Sequence, residues 1–363
     1  MMNTNKMRWL SGVVALGLAL LPGLASAHEK WFADHTPDPI DSKYIFSLQT
    51  LLAIGAAGLA VLLVRLIEPW MKRKFPILGQ SLPATFSNDR LQLIYDWIPM
   101  IMAIHVAVPL IVNGITLHLF APNLALPGNI LGGFVALAQV VVALGFIYGA
   151  LTRYVAVVLV VLFFSGFLFF PPLYVLEHFN FVGIAAFFYL LGRGRFSVDN
   201  LVGLPGQNRM VNLAVPALRV ATGITLIVLA LTEKLWNPQQ ALAFLEQRPD
   251  FYFLPALGLG GLGKEFFIYA AGIVEFVFGV LVLNGRLLRF LTFFLWLPFN
   301  LTLVYLGWPE LVGHLPIYGT MLILLFFGDV QPEWVSLTAL NPFRRQSAAS
   351  PQVAISKTVE AER

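Results

Sequence analysis

The sequence contains no cysteine, and it is poor in charged residues. Zero cysteines in 363 residues exclude disulfides, a dithiol relay, thiolate metal sites and cysteine-ligated Fe–S clusters. Only 12% of the residues are charged and 58% are apolar, whereas a soluble domain carries about twice that share of charge. A glycine-rich nucleotide loop after a strand and a two-histidine zinc motif on a helix are also missing from the sequence. The composition therefore predicts an integral membrane protein.

Residues 1–27 are predicted to be a signal peptide. Lys6 and Arg8 precede one apolar run that ends in "ASA", the small-x-small pattern of a signal peptidase site. Cleavage after Ala27 would make His28 the first residue and would lower the formal net charge from +4 to +2, because two basic and no acidic residues are removed. An uncleaved anchor helix is the alternative. Because only a small net positive charge remains after cleavage, the basic balance of the whole chain does not indicate a nucleic-acid partner.

Nine further apolar runs are near the length that a helix needs to cross about 30 Å of hydrocarbon. Helices are favoured over barrel strands because the runs are continuous and do not alternate. The predicted fold class is an all-α integral membrane protein with nine transmembrane helices in a lipid bilayer. The predicted spans are 45–66, 96–119, 129–150, 154–171, 177–193, 211–233, 265–284, 287–307 and 312–329.

The distribution of lysine and arginine predicts the orientation. With the mature N-terminus outside, the cytoplasmic segments hold fifteen basic residues and the external segments hold five, as the positive-inside rule requires. The sequence therefore predicts a multi-pass protein of the bacterial inner membrane, with a periplasmic N-terminus and a cytoplasmic C-terminus.

An internal repeat divides the chain. A shift of 136 residues pairs Gln139 with Glu275 and His178 with His314, and four glycine or arginine positions align in the same register. Each copy has four spans, so both copies run in the same direction, as in a parallel repeat. The predicted segments are a signal peptide (1–27), a periplasmic segment (28–44), an extra span with a basic loop (45–94), two four-helix repeats (95–210 and 211–330) and a cytoplasmic tail (331–363).

Both copies resemble the DoxX/DoxD-like family of small four-helix membrane proteins. The matching residues are Gln139, Gly145, Gly149 and Arg153 in the first copy and Glu275, Gly279, Gly285 and Arg289 in the second. The family includes the membrane subunit of thiosulfate:quinone oxidoreductases, so the resemblance implies a helical bundle that exchanges electrons with quinone or assists other membrane oxidoreductases. The fused double copy, the extra span and the missing cysteines depart from the family pattern.

The histidines are candidate metal ligands. Topology places five of the six near the outer face, where carboxylates accompany them, and imidazole with carboxylate suits zinc, copper or iron. We therefore predict a transition-metal site, most simply copper, and a mature N-terminal histidine could chelate through its α-amine as well as its ring. The candidate ligands are His28, His35, His118, His178 and His314. As repeat partners, His178 and His314 are expected to face each other, although an interfacial histidine bonded to lipid or backbone is the alternative.

Glu275 lies near the middle of a predicted span, where an ionised carboxylate is costly unless it is paired or protonated. It is therefore predicted to handle a proton beside a quinone, with Gln139 and His105 as the other cofactor-binding residues. The predicted catalytic residues are Glu275, His178 and His314. A protonated acid that ties helices together is the alternative for Glu275.

Three functions stay open on the sequence. The first is the membrane subunit of a periplasm-facing redox system that passes electrons to quinone, with a periplasmic or membrane redox protein as partner. The second is a copper-binding or copper-transport protein, and the third is a non-catalytic assembly factor for a respiratory complex. The long external loop 237–265 predicts a short interfacial helix and a cap over the outer site, or a docking surface for a periplasmic partner.

Overall fold

The computed structural model describes residues 29–32, 40, 42–75, 88–194, 196–204 and 213–328, without the side chains at 29, 88–96, 297, 298 and 301. These residues form helices and connecting turns, with no strand among them, which agrees with an all-α membrane protein. The predicted signal peptide, His28, His35 and most of the cytoplasmic tail lie outside the described residues.

Nine principal helices occur at the nine predicted positions within the described ranges. Six apolar segments are long enough to cross a membrane, while two further apolar helices, Thr152–Leu168 and Asn180–Leu191, are shorter. The protein is therefore a multi-pass membrane protein, and the number of nine spans stays a prediction. The helices are α1 Leu48–Lys74, α2 Asn88–Ile115, α3 Ile130–Tyr148, α4 Thr152–Ser165, α5 Asn180–Leu191, α6 Ala214–Leu229, α7 Gly263–Asn284, α8 Leu288–Leu306 and α9 Trp308–Phe327.

Several helices begin or end away from the predicted bounds, and this changes the position of the candidate residues. Helix α9 begins at Trp308 with a proline in its first turn, where a missing N–H costs nothing. Glu310 and His314 therefore lie inside the helix, one turn apart. In the first copy a short helix, Pro172–Leu176, precedes α5, so Glu177 and His178 lie in the connection between the two.

The two predicted copies pack through their first and fourth helices. Helix α5 of the first copy packs against α6 of the second, and α9 of the second packs against α2 of the first. The repeat partners Gly183 and Gly319 stand at these two crossings: a Cβ at Gly183 would overlap Ala221, and one at Gly319 would meet Met102 and His105. Small residues allow such close helix approach in membranes. The main apolar core includes this interface.

The turn after the second helix of each copy has the same backbone conformation. Gly149 and Gly285 end their helices with φ of 62° and 69°, and Leu151 and Leu287, two residues later, have φ of 52° and 51°. Leucine rarely adopts this left-handed backbone conformation, because its Cβ atom makes a positive φ strained. The recurrence of the same strained turn at positions 136 residues apart is what a duplication predicts, and the duplication stays a prediction.

Helix α1 packs on the second copy and exposes its other face. Its Thr50 hydroxyl donates to the carbonyl of Leu235 at 2.8 Å, and Glu68 near its far end pairs with Arg286 of the second copy. Leu52 and Leu66 on the opposite face are exposed. In a protein with this many apolar helices, that face suits contact with lipid.

Candidate functional site

The candidate site lies at the outer end of the bundle, where α5 and α9 begin and α6 ends; the name follows the predicted orientation. Six polar side chains are buried there, none more than 8% exposed. Burial of ionisable groups at a membrane boundary is costly unless they are paired, so such a group of residues points to a function. We call this group the outer cluster: Lys30, Glu177, His178, Thr232, Glu310 and His314.

A short N-terminal segment supplies one cation of the outer cluster. Residues 29–32, which we call the strap, form a 3-10 turn over Glu29–Trp31. The ammonium of Lys30 pairs with the carboxylate of Glu177, with side chains 1% and 2% exposed, and lies 4.4 Å from the ring centroid of Tyr174. The hydroxyl of Thr232 donates to Glu177 Oε1 at 2.6 Å. Lys30 and Thr232 thus both contact Glu177 Oε1.

Trp31 of the strap lies between the two copies. Its Nε1–H donates to Asn123 Oδ1 at 3.1 Å, and its ring centroid is 5.8 Å from that of His314. Gly313 makes room for it, because a Cβ at this position would overlap the indole ring. The strap is fixed further by Phe32, which packs against the apolar cluster of the long external loop.

Glu310 and His314 form a buried acid–imidazole pair on α9. His314 Nδ1 lies 3.1 Å from Glu310 Oε1, and the side chains are 0% and 1% exposed. Phe299 of α8 contacts the His314 ring edge-on, with centroids 4.7 Å apart. Both carboxylate oxygens of Glu310 are buried and accept no hydrogen bond of good geometry from the residues that the structure describes.

His178 lines a small cavity between the starts of α5 and α9. The cavity measures about 20 Å³, and its wall includes Trp31, Phe120, His178, Phe181, Gly313 and Ile317. This volume suits a single water molecule. The His178 Nε2 atom is buried and makes no hydrogen bond with the described part of the chain. An unsatisfied buried imidazole nitrogen at a cavity wall is a place where a ligand or water would be bound.

A second buried ion pair lies where α6 ends. Residues Ala230–Leu235 continue α6 as a π-helix, a form that often marks functional positions. It buries Thr232, Glu233 and Lys234 in succession. Lys234 Nζ lies 2.9 Å from Glu275 Oε2 and 4.0 Å from Glu233 Oε2. Glu275, predicted to handle a proton, is thus part of an ion pair, with 12% of its side chain exposed.

Gln139, the repeat partner of Glu275, binds backbone groups only. Its Nε2 donates to the carbonyls of Leu110 and His118 at 3.0 and 3.1 Å, and its Oε1 accepts from the amide of Phe120 at 3.0 Å. Both amide hydrogens are therefore used, so Gln139 has no donor left for a quinone carbonyl. The geometry favours a structural role for this residue.

The remaining predicted residues do not meet in one site. His105 Nδ1 lies 2.8 Å from the carbonyl of Ile101 in its own helix, and His118 Nδ1 lies 3.1 Å from the hydroxyl of Thr116. Among the described residues, no group of three or more histidine, aspartate or glutamate side chains could hold a metal ion. Since His28 and His35 lie outside those residues, the metal site stays a prediction.

Sequence reasoning missed the partners of the predicted residues. It placed carboxylates near the outer histidines but assigned no role to Lys30, Trp31 or Lys234. For Lys234 a signal existed, because a lysine at the end of an apolar run calls for a buried acid. No comparable signal marks Lys30 and Trp31, because their contacts are made with residues more than 90 positions away.

No protein-family model matches the chain, and comparisons with curated proteins and with solved structures also find no match.

Proposed function

We propose that the chain is the membrane subunit of a periplasm-facing redox system that passes electrons to quinone. The observation that carries this proposal is the concentration of three buried acid–base pairs toward one end of a membrane bundle: Lys30–Glu177, Glu310–His314 and Lys234–Glu275. Such pairs hold protons and charges away from water, as chemistry at a membrane boundary requires. The resemblance to the DoxX/DoxD-like family supports the same class of function, with a periplasmic or membrane redox protein as electron donor.

Two features in and beside the outer cluster fit a quinone. His178 Nε2 is an unsatisfied buried nitrogen at a cavity wall, and Gly313 leaves a flat space that already holds an aromatic ring. A bound quinone supplies an acceptor for two electrons and two protons. His178 would donate a hydrogen bond to one of its carbonyl groups, with the Lys30–Glu177 pair nearby. Gln139 would not bind the quinone, because both of its amide hydrogens already donate to backbone carbonyls.

A second candidate function is metal binding at the outer face, with copper as the first choice. It is favoured by Glu310, whose Oε2 accepts no hydrogen bond in the described part of the chain while its Oε1 is beside His314. The strap also brings position 29 to the outer cluster, and the predicted mature N-terminus, His28, precedes that position in the sequence. An α-amine and imidazole of His28 would supply the missing nitrogen ligands.

Purified mature protein in nanodiscs separates these functions. The N-terminus is sequenced, bound metals are measured by mass spectrometry, and reduction of a soluble quinone analogue is followed with thiosulfate, sulfite or sulfide as donor. The variants are His178→Asn, Glu275→Gln and His28→Ala. Glu265→Gln is the matched control, because Glu265 is an exposed acid on the same helix as Glu275.

Quinone reduction by a metal-free preparation, lost in His178→Asn and Glu275→Gln but kept in Glu265→Gln, is the expected result. Bound copper that disappears in His28→Ala, without quinone reduction by any sulfur donor, would contradict the redox function and support the metal site. A protein inert in both assays, whose deletion lowers assembly of a respiratory oxidase, would contradict both and support the assembly factor.

A further inference from the structure

The indole of Trp31 fills a flat slot that the two copies form together. One wall is Gly313 of α9, where a Cβ would overlap the ring, and the ring of His314 is nearby, with centroids 5.8 Å apart. Asn123 of the first copy accepts the indole hydrogen bond at 3.1 Å. The slot thus already binds a planar ring through close packing and one polar edge.

The slot adjoins the small cavity, because Trp31 and Gly313 both line that cavity. The indole forms part of the cavity wall, and Phe120, Phe181 and Ile317 form much of the rest. On the far side His178 presents a buried Nε2 atom that has no hydrogen bond to the described residues. Removal of the indole would join a ring-sized space to an unsatisfied imidazole nitrogen.

We propose that this joined space is the ring-binding site of a quinone and that Trp31 closes it when no quinone is bound. The inference rests on the proposed redox function and gives that function a location. A quinone ring is planar, smaller than an indole, and carries two carbonyl acceptors on opposite edges. His178 Nε2–H donates to one carbonyl. The side-chain amide of Asn123, flipped by 180°, donates from its NH₂ group to the other carbonyl.

The strap holds Trp31 in place and therefore competes with the ligand. Its contacts are the Lys30–Glu177 pair and the packing of Phe32 against the loop cluster. Apparent affinity falls in proportion to the fraction of molecules in which the site is open. Removal of the indole removes this competition, so quinone binds more tightly to Trp31→Ala than to the unaltered protein.

Single-cysteine labelling tests the inference, because the chain has no cysteine of its own. Ile317→Cys places a thiol in the cavity wall, and Leu257→Cys, at an exposed position of the external loop, measures reagent and folding effects. Each single-cysteine variant is made in three backgrounds: the otherwise unaltered chain, Trp31→Phe and Trp31→Ala. Each protein is then labelled with a small maleimide, alone, with a short-chain ubiquinone analogue or with the matching alkanol, which lacks the ring.

We expect Trp31→Ala to raise the Ile317→Cys labelling rate by about tenfold or more and to leave Leu257→Cys unchanged, with Trp31→Phe between the two. The quinone analogue should then slow the labelling of Ile317→Cys and the alkanol should not, and His178→Asn should weaken the protection. Equal labelling with and without the indole would overturn the closing role of Trp31. Equal protection by the alkanol would overturn the ring site.

Failure of the site and failure of the proposed function give different results. Ring-specific protection in a protein that reduces no quinone would leave the site in place and contradict the redox function. Quinone reduction with no ring-specific protection would leave the redox function in place and contradict this location. Gly313→Leu, which fills the slot, should abolish protection when it is combined with Trp31→Ala, and retained protection would count against the site.

Discussion

Replacement of Lys234 by methionine would leave two buried carboxylates without their shared cation. With an effective dielectric constant near 20, the attraction of Lys234 Nζ is about 6 kcal/mol for Glu275 at 2.9 Å and about 4 kcal/mol for Glu233 at 4.0 Å. Desolvation of the charges offsets much of this, and removal of one partner of a buried pair costs about 3–5 kcal/mol. We therefore expect Lys234→Met to lower the free energy of unfolding by about 3–5 kcal/mol.

The partner substitutions should be milder, which gives the prediction its internal control. In Glu275→Gln the lysine keeps Glu233 and can still donate to the amide oxygen, so we expect a loss of about 1–3 kcal/mol. The double variant Lys234→Met/Glu275→Gln should recover part of the loss of Lys234→Met, because one of the stranded carboxylates is gone. Lys264→Met, at the half-buried start of α7, should change stability by no more than about 0.5 kcal/mol.

The free energies are measured by unfolding in mixed micelles of dodecyl maltoside and sodium dodecyl sulfate, followed by tryptophan fluorescence. The unaltered protein, the two single variants and the double variant form a double-mutant cycle, which isolates the coupling between Lys234 and Glu275. Additive effects, or a Lys234→Met loss no larger than that of Glu275→Gln, would refute the reasoning that the two side chains form a buried ion pair.

Three further predictions follow from backbone and packing geometry. Gly313→Ala should weaken packing of the strap by about 1–3 kcal/mol, seen as a red-shifted tryptophan emission, whereas Gly133→Ala, where nothing lies within 4 Å of an added Cβ, should not. Leu151 and Leu287 both have a positive φ. Because the Leu151 side chain is exposed, Leu151→Gly should leave the stability of the protein unchanged or raise it by up to about 1 kcal/mol, whereas Leu287→Gly should destabilise the protein because that side chain is buried. Thermal unfolding that ranks the two variants in the opposite order would contradict this reasoning. Gln139→Leu should lower the unfolding free energy by about 2–4 kcal/mol, since three backbone groups lose a partner, and a loss no larger than about 0.5 kcal/mol would argue against the structural role.

The candidate site was only partly predictable from the sequence. His178 and His314 were expected near one end of the bundle, and both are buried in the outer cluster, because the positions of helix ends follow from the local hydrophobic pattern; that this end faces outward stays a prediction. Their partners were not predictable. The Lys30–Glu177 contact joins residues 147 positions apart, and the π-helix that points Lys234 toward Glu275 has no sequence period that separates it from an ordinary helix.

Composition and periodicity by themselves determined the all-α membrane fold class and the approximate positions of the helices, because hydrophobic runs depend on neighbouring residues. Only the tertiary structure decided that α5 and α9 each pack on the other copy, and that the strap lies between them with Trp31 against Gly313. These contacts depend on the shapes of surfaces far apart in the chain, which a single sequence does not reveal. The physical reason is that the burial of a charged group or an aromatic ring depends on the residues that pack around it, and these come from distant parts of the chain.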